Sequence, residues 1–519
     1  MKGFLEKRNY GDNMFNDNSF MNELKERDNY TTTENGATAH KSTLNKVYDM
    51  FAFGGAYRGR SNEDCILLFK QALEENQDLA MKCLFYLRDI RGGQGERRFF
   101  RVCFNWLAKE YPDLAKRNLS NLAEYGRYDD LYCVVDTPIE KDMFALVDTQ
   151  IKADLASMSE SPKAGVSLLA KWLKSENASS KETKMLGNKT REALGLTHKK
   201  YRELLSAIRT RINIVEKLMS ERRYNEIEYS KIPSQAGFKY KNAFAKRDAE
   251  RYKAFLDSKE AKVNTAAMFP YEVVRDARKL LPSWYDATAP IDEDGRKAVN
   301  KYWANLKDYF NGKPCKILPV IDTSGSMTSG HGSVAPIDVA ISLGIYAAER
   351  MSGPFAGHYI SFASRPQLIE VSGVDFVDKV KRIYDTNLVD DTNLEEVFKL
   401  LKDIALSENV NPDDMPDTIP VISDMEINQG SYWHNEYTRQ AEMEKIRKDW
   451  EAAGLTMPKL VYWNVDARHN IILEDAKTEG ISYVSGCSPV IFEAILTGKT
   501  GIDLMLDKLL YSGRYSQVK

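Results

Sequence analysis

Long apolar runs are missing from this chain of 519 residues. No stretch reaches the roughly 18 uninterrupted apolar residues that span a bilayer, so no membrane segment is expected. The first residues, Met1, Lys2, Gly3 and Phe4, lead into Asp, Asn and Glu without an apolar core, so no secretory leader is expected either. Cysteine is sparse: Cys65, Cys83, Cys103, Cys133, Cys315 and Cys487 lie far apart and never form a C-x-x-C pair. Neither a cysteine zinc site nor a disulfide scaffold follows, and a reducing cytoplasmic setting is expected. The sequence also lacks a P-loop, a Ser-His-Asp or Cys-His grouping and any cluster among its 6 histidines. The expectation is therefore a protein that is not an enzyme.

What is present is ordinary for a globular protein, with 43% hydrophobic and 29% charged residues. The length exceeds one core of usual size, so two or more domains are expected. A net charge of -2 conceals a strong local imbalance. Between Lys163 and Lys262 there are 24 Lys and Arg against 12 Asp and Glu. A one-signed excess of that size suits a polyanion, although charged outer faces of helices would also account for it.

Residues 1–40 are rich in Asn, Asp, Thr and Gly with little periodicity, which reads as a flexible N-terminal arm. From residue 41 to 282 apolar residues recur three and four apart, as in Leu79, Cys83, Leu84 and Leu87. Helices are expected over Glu63–Glu75, Asp78–Arg88, Gly95–Glu110, Pro112–Tyr125 and His198–Glu221, stacked as a HEAT-like helical-repeat domain. Residues 283–314 read as a connector. From 315 to 519 short apolar runs alternate with helical patterns. Strands are expected at Lys316–Ile321, His358–Phe362, Gln367–Val371, Thr418–Ser423, Leu460–Val465 and Ile481–Ser485. That alternation predicts an α/β doubly wound, mostly parallel sheet, with ligands at the carboxyl ends of its strands.

Asp322 ends the first of these strands in Asp322-Thr323-Ser324-Gly325-Ser326-Met327. Residues two apart face the same way in an extended turn, so Asp322, Ser324 and Ser326 converge, and Asp424 ends the Thr418–Ser423 strand in the same manner. Thr392 precedes the helix pattern that begins at Leu394, and Thr386 stands in a near-repeat, Asp385-Thr386-Asn387-Leu388. Hard oxygen donors of this kind suit Mg²⁺ or another divalent cation. The pattern Asp-x-Ser-x-Ser, then Thr, then Asp resembles the metal-ion-dependent adhesion site of von Willebrand factor A domains, which have a Rossmann-like fold. The resemblance implies Asp322, Ser324, Ser326, Thr392 and Asp424 as the metal set, and a partner carboxylate that completes it.

The segment Leu79–Phe100, LAMKCLFYLRDIRGGQGERRFF, resembles the helical module of Ro autoantigen (TROVE) proteins and, more closely, the family called domain of unknown function 2828. NLSNLAEYGRYDDL from Asn118, SLLAKW from Ser167, YSKIPS from Tyr229 and KVNTAAMF from Lys262 extend the likeness. Ro proteins join HEAT-like repeats to a von Willebrand A domain and bind single-stranded RNA ends and small structured RNAs. The resemblance implies the same architecture, an RNA partner, and RNA contacts at His198 and Lys199, which open a helix capped by Thr197. Lys200, Arg202, Arg209 and Lys217 extend that face, and Arg88 and Arg91 flank a glycine-rich turn beside Arg97 and Arg98. Arg88 and Arg91 would serve equally as ion-pair partners of Asp89, Glu96, Asp129 or Asp130. Tyr201, Tyr240 and Phe244 are stacking candidates, or core aromatics.

These readings add up to an RNA-binding protein whose second domain holds a divalent cation. The rival expectation is a metal-dependent protein-interaction adaptor without RNA. Glu426 is the only obvious further acid near the metal set, too few for a two-metal hydrolase. A fragment starting near Asn311 is expected to fold alone as an α/β domain.

Overall fold

The structure, a computed structural model, describes residues 21, 24, 25, 28–161, 164–212, 214–282, 291–328, 330, 334–362, 365–386, 393–428 and 442–519. Thr392 and residues 283–290 of the expected connector lie outside these. Two compact units are formed, and each draws on separated parts of the chain. The larger takes the described residues of Met1–Leu87, Phe269–Ile291 and Leu306–Tyr515, and the smaller takes Arg88–Met268, Asp292–Asn305 and Ser516–Lys519.

In the larger unit the sheet is built from β3 (Val320–Asp322), β4 (His358–Phe362), β5 (Gln367–Glu370), β6 (Thr418–Ser423), β7 (Lys459–Asn464) and β8 (Ile481–Ser485). Its order is β5-β4-β3-β6-β7-β8. All neighbours are parallel except β5, which runs antiparallel to β4 at the edge. β3, β6 and β8 are buried at every position, and β7 at all but Lys459, because parallel strands are covered on both faces. β3 is shorter than expected. Pro319 has no N–H to give to the ladder, so Ile317 makes only an isolated bridge to Thr418 before β3 begins. The connecting helices are Pro336–Arg350, Phe376–Thr386, Leu394–Ser407 and Glu442–Ala452, the third starting at Leu394 as expected. Asn393 caps the third of them by accepting from the Glu396 N–H at 3.2 Å.

The described part of the expected flexible arm is folded. β1 (Tyr30–Thr32) and β2 (Thr38–His40) form a hairpin with Tyr30 opposite His40, and Ala37, Ala39 and His40 are buried. Its polar residues satisfy backbone groups at the sheet end: the Thr33 hydroxyl donates to Ile427 O at 2.7 Å, and His40 and Ile472 exchange backbone hydrogen bonds. The helix Lys46–Phe53, capped by Asn45, is buried at all but its first residue. It packs on β8, where the Tyr483 N–H donates to the Tyr48 hydroxyl at 2.7 Å and Ser485 donates to Phe51 O at 3.0 Å. Gly55 follows, where an added Cβ would lie 2.6 Å from Ser485 O, so only glycine permits this approach. The expected boundaries at residues 40/41 and 282–315 therefore do not separate the compact units: residues assigned to the arm and to the helical domain help to build the sheet-containing unit.

The smaller unit is helical, with Arg97–Glu110, Glu140–Glu160, Lys181–Ala193, His198–Ile212, Ser234–Arg247 and Glu293–Ala304 as its longest elements. The expected helix Pro112–Tyr125 is divided into Pro112–Arg117 and Asn121–Tyr125, because the Asn118 amide turns back to donate to Leu114 O. His198–Glu221 is divided likewise, into His198–Ile212 and Val215–Ser220. One core of this unit gathers Tyr229, Phe244, Tyr252, Leu256 and Ala298. Among the described residues, no helix is long and apolar enough to cross a membrane.

Candidate functional site

β3 lies between β4 and β6, and from it the chain winds outward to both edges of the sheet. Asp322, the last residue of β3, and Asp424, the residue after β6, therefore stand at adjacent carboxyl ends where the winding reverses, the usual ligand position in such sheets. Both are buried. The Asp322 carboxylate accepts from the Ser324 N–H at 2.9 Å and from the Ser423 hydroxyl at 2.5 Å, neither of them a charged donor. Burial, and then the charge of Asp424, push its pKa up to about 7. The Ser324 and Ser326 hydroxyls lie 2.9 Å apart where the chain enters the short turn Gly325–Thr328. Asp322, Ser324 and Ser326 thus form one connected polar set, as the alternation of that turn requires.

Asp424 has a cationic partner that sequence reasoning missed. Arg468 donates to its carboxylate at 2.7 Å and to Glu34 at 2.5 Å. Met425 takes a left-handed φ of 67°, uncommon for a side chain of its size, and that turn leaves both Asp424 and Glu426 buried. Glu426 accepts from the Glu34 N–H at 2.6 Å and faces the His469 ring at 2.9 Å. Burial raises its pKa, against the opposing pull of the Glu34 N–H and His469. Arg468 and His469 follow β7, so the strand-end rule applied to that strand would have found them. No local signal points to Glu34, which is hundreds of residues away in sequence and arrives with the β1–β2 turn.

The expected RNA-contacting residues divide into two groups. Arg88 is 1% exposed and donates two hydrogen bonds to Asp130, at 2.9 and 2.7 Å. It is a core ion pair, as the alternative reading of that residue held, and is unavailable to a phosphate. Arg209 is turned inward onto Ala170 O and Leu173 O, both at 2.8 Å, because those carbonyls lack helical partners. Tyr201 and Phe244 are wholly buried and thus are core aromatics. Arg91 stays exposed while donating to Glu124 O, and His198 stays exposed with its ring 2.6 Å from Glu176. Lys199, Lys200 and Arg202 are exposed on the first turns of His198–Ile212, with the Thr197 hydroxyl accepting from the Lys200 N–H at 3.3 Å. Lys199 reaches only Glu203, at 3.9 Å, and among the described residues no carboxylate pairs with Lys200 or Arg202.

Residues 33–147 and 166–311 match the family described as "Domain of unknown function (DUF2828)", and residues 316–508 match "Domain of unknown function (DUF7788)". The chain is 30% identical over 509 residues to "Uncharacterized protein L728" of Acanthamoeba polyphaga mimivirus, an alignment covering 91% of this chain and 85% of that protein. Among solved structures, the "Crystal structure of Deinococcus radiodurans RO (RSR) protein" matches at 12% identity with a TM-score of 0.37, over 89% of this chain and 96% of that one.

Proposed function

This chain belongs to the DUF2828 family, and from that premise we propose that it is an RNA-binding protein. Its helical unit holds single-stranded or small structured RNA, and its sheet-containing unit is a von Willebrand A-type domain that holds a divalent cation. The observation that carries the RNA reading is the exposed run Lys199, Lys200 and Arg202, in which Lys199 reaches only Glu203 at 3.9 Å and Lys200 and Arg202 pair with no carboxylate among the described residues, in a segment with 24 basic against 12 acidic residues. Exposed cations at a helix start that are weakly paired can contact phosphates. His198 and Arg91 extend the surface; Arg88 and Arg209 do not belong to it.

A cation suits the sheet end because Asp322 is a buried carboxylate with no cationic partner among the described residues, and the paired Ser324 and Ser326 hydroxyls lie beside it. Asp322, Ser324, Ser326 and Asp424 would hold Mg²⁺, which takes hard oxygen donors and retains waters, with Thr392 as the further ligand the motif implies. Bound there, the ion supplies an electrophilic centre for a partner's carboxylate. Arg468 already neutralises Asp424, so Asp424 acts through bound water rather than as a bare ligand.

Fluorescence polarisation with a short single-stranded RNA across about 50 to 200 mM salt tests the reading. Affinity should fall steeply with salt. Reversing Lys199, Lys200 and Arg202 to Glu should weaken binding and reduce the salt slope by up to about two to three units. Chelation should leave RNA affinity unchanged. A triple variant that binds like the wild type, together with loss of binding in EDTA, would replace this reading with a metal-dependent adaptor.

A further inference from the structure

A second group of ligand atoms lies beside the sheet-end carboxylates. Glu34 comes from the β1–β2 turn, Glu426 from the loop after β6, and His469 from the loop after β7. One ligand atom from each lies within 4.8 Å of the other two. Each carboxylate has one oxygen engaged: Glu34 Oε2 with Arg468 at 2.5 Å, and Glu426 Oε2 with the Glu34 N–H at 2.6 Å. Both remaining oxygens turn to the imidazole, so that His469 Nδ1 is 2.9 Å from Glu426 Oε1 and 3.6 Å from Glu34 Oε1. Ligands that each stand about 2.0–2.2 Å from one ion are separated from each other by roughly 3 to 3.6 Å, close to the two spacings that His469 makes.

We propose that Glu34, Glu426 and His469 bind a divalent transition cation of the Zn²⁺ class, at a site separate from the one that begins at Asp322. Charge supports this. Arg468 pairs with both Asp424 and Glu34, and the fully buried Glu426 lies in its field, so among the described residues three carboxylates share this one guanidinium. The imidazole selects the metal class, since nitrogen donors favour Zn²⁺ and its neighbours over Mg²⁺ or Ca²⁺. The site is open: the His469 and Glu34 side chains are 54% and 39% exposed, so an ion can enter and keep water at its remaining positions. Three protein ligands with an open position make an exchangeable site, and the ion would fasten the N-terminal hairpin to the sheet end. The inference depends neither on RNA binding nor on Mg²⁺ at Asp322. The 2.9 Å approach of His469 Nδ1 to Glu426 is also that of a hydrogen bond, an arrangement the experiment separates from a metal site.

The test is calorimetric titration of the full chain with Zn²⁺ in excess Mg²⁺. The wild type should take up one equivalent that Glu426→Gln and His469→Ala each weaken by at least about tenfold, while Asp322→Asn leaves it unchanged. Should the buried Glu426→Gln variant fail to fold, His469→Gln, at a half-exposed position, gives the same comparison. Addition of Zn²⁺ should also move the His469 imidazole resonances. Equal Zn²⁺ uptake by wild type and His469→Ala would overturn the proposal and leave only a hydrogen-bonded cluster. Loss of the equivalent in Asp322→Asn would overturn it too, by placing the ion at the other site.

Discussion

Arg88 and Lys200 carry the same charge, but Arg88 is buried and Lys200 is open to solvent. Arg88 lies in the core with its guanidinium on Asp130, whose other oxygen accepts from Arg101 at 2.7 Å. An ion pair this deep gains little net stability over an apolar pair, yet removing one member strands a charge. Arg88→Ala should therefore destabilise the smaller unit by about 3 kcal/mol, measured as a lowered urea midpoint. In conditions where the variant stays folded, its RNA salt slope should match that of the wild type, because Arg88 contacts no solvent-borne phosphate. A reduced slope would mean that Arg88 does reach the ligand. Residue type alone left these two roles open, and only fractional exposure separated them.

At the scale of elements, the helix Lys46–Phe53 and the β1–β2 hairpin are the informative pieces. The helix is apolar almost all round, with Val47, Tyr48, Met50, Phe51, Ala52 and Phe53 buried. A helix with that pattern belongs inside a core rather than on a surface. Its hydrogen bonds to Tyr483 and Ser485 show which core. A fragment beginning near Asn311 would expose the β8 side that this helix covers, and would lose Thr33, Glu34 and Asn35 from the loop after β6. It should be poorly soluble and lack a cooperative thermal transition, contrary to what the sequence pattern suggests. A soluble fragment with a sharp calorimetric transition would show that the sheet needs neither element. The remaining helices and strands were largely legible, since their periodicity depends only on which face is buried. The breaks at Asn118 and before β3 were not, because each turns on one residue's local hydrogen bonding.

At the scale of the whole molecule, neither unit is continuous in sequence. The residues Ser516–Lys519 belong to the unit that begins at Arg88. There the buried Asn118 amide donates to Lys519 O at 2.6 Å and accepts from the Lys519 N–H at 3.0 Å, while Asn121 donates to Gln517 O at 3.1 Å. Deleting 516–519 leaves buried amide groups unsatisfied, at about 1–3 kcal/mol. The deletion should lower the stability of the helical unit in a urea titration, and the proposed Mg²⁺ and Zn²⁺ uptake, assigned to other residues, should persist. An unchanged midpoint would mean that water replaces these contacts without loss.

By itself the sequence determined the kinds of element, their order, the α/β character of the last third and the meeting of Asp322, Ser324 and Ser326. Those features follow from period, turn chemistry and strand-end position, all of which act within a few residues. The tertiary structure decided which cations are buried, which segments share a core, and what surrounds Asp424. Glu34 reaches the sheet end from the other end of the chain to meet Arg468 and His469. Burial and long-range pairing depend on how distant segments are brought together, and no local pattern records that.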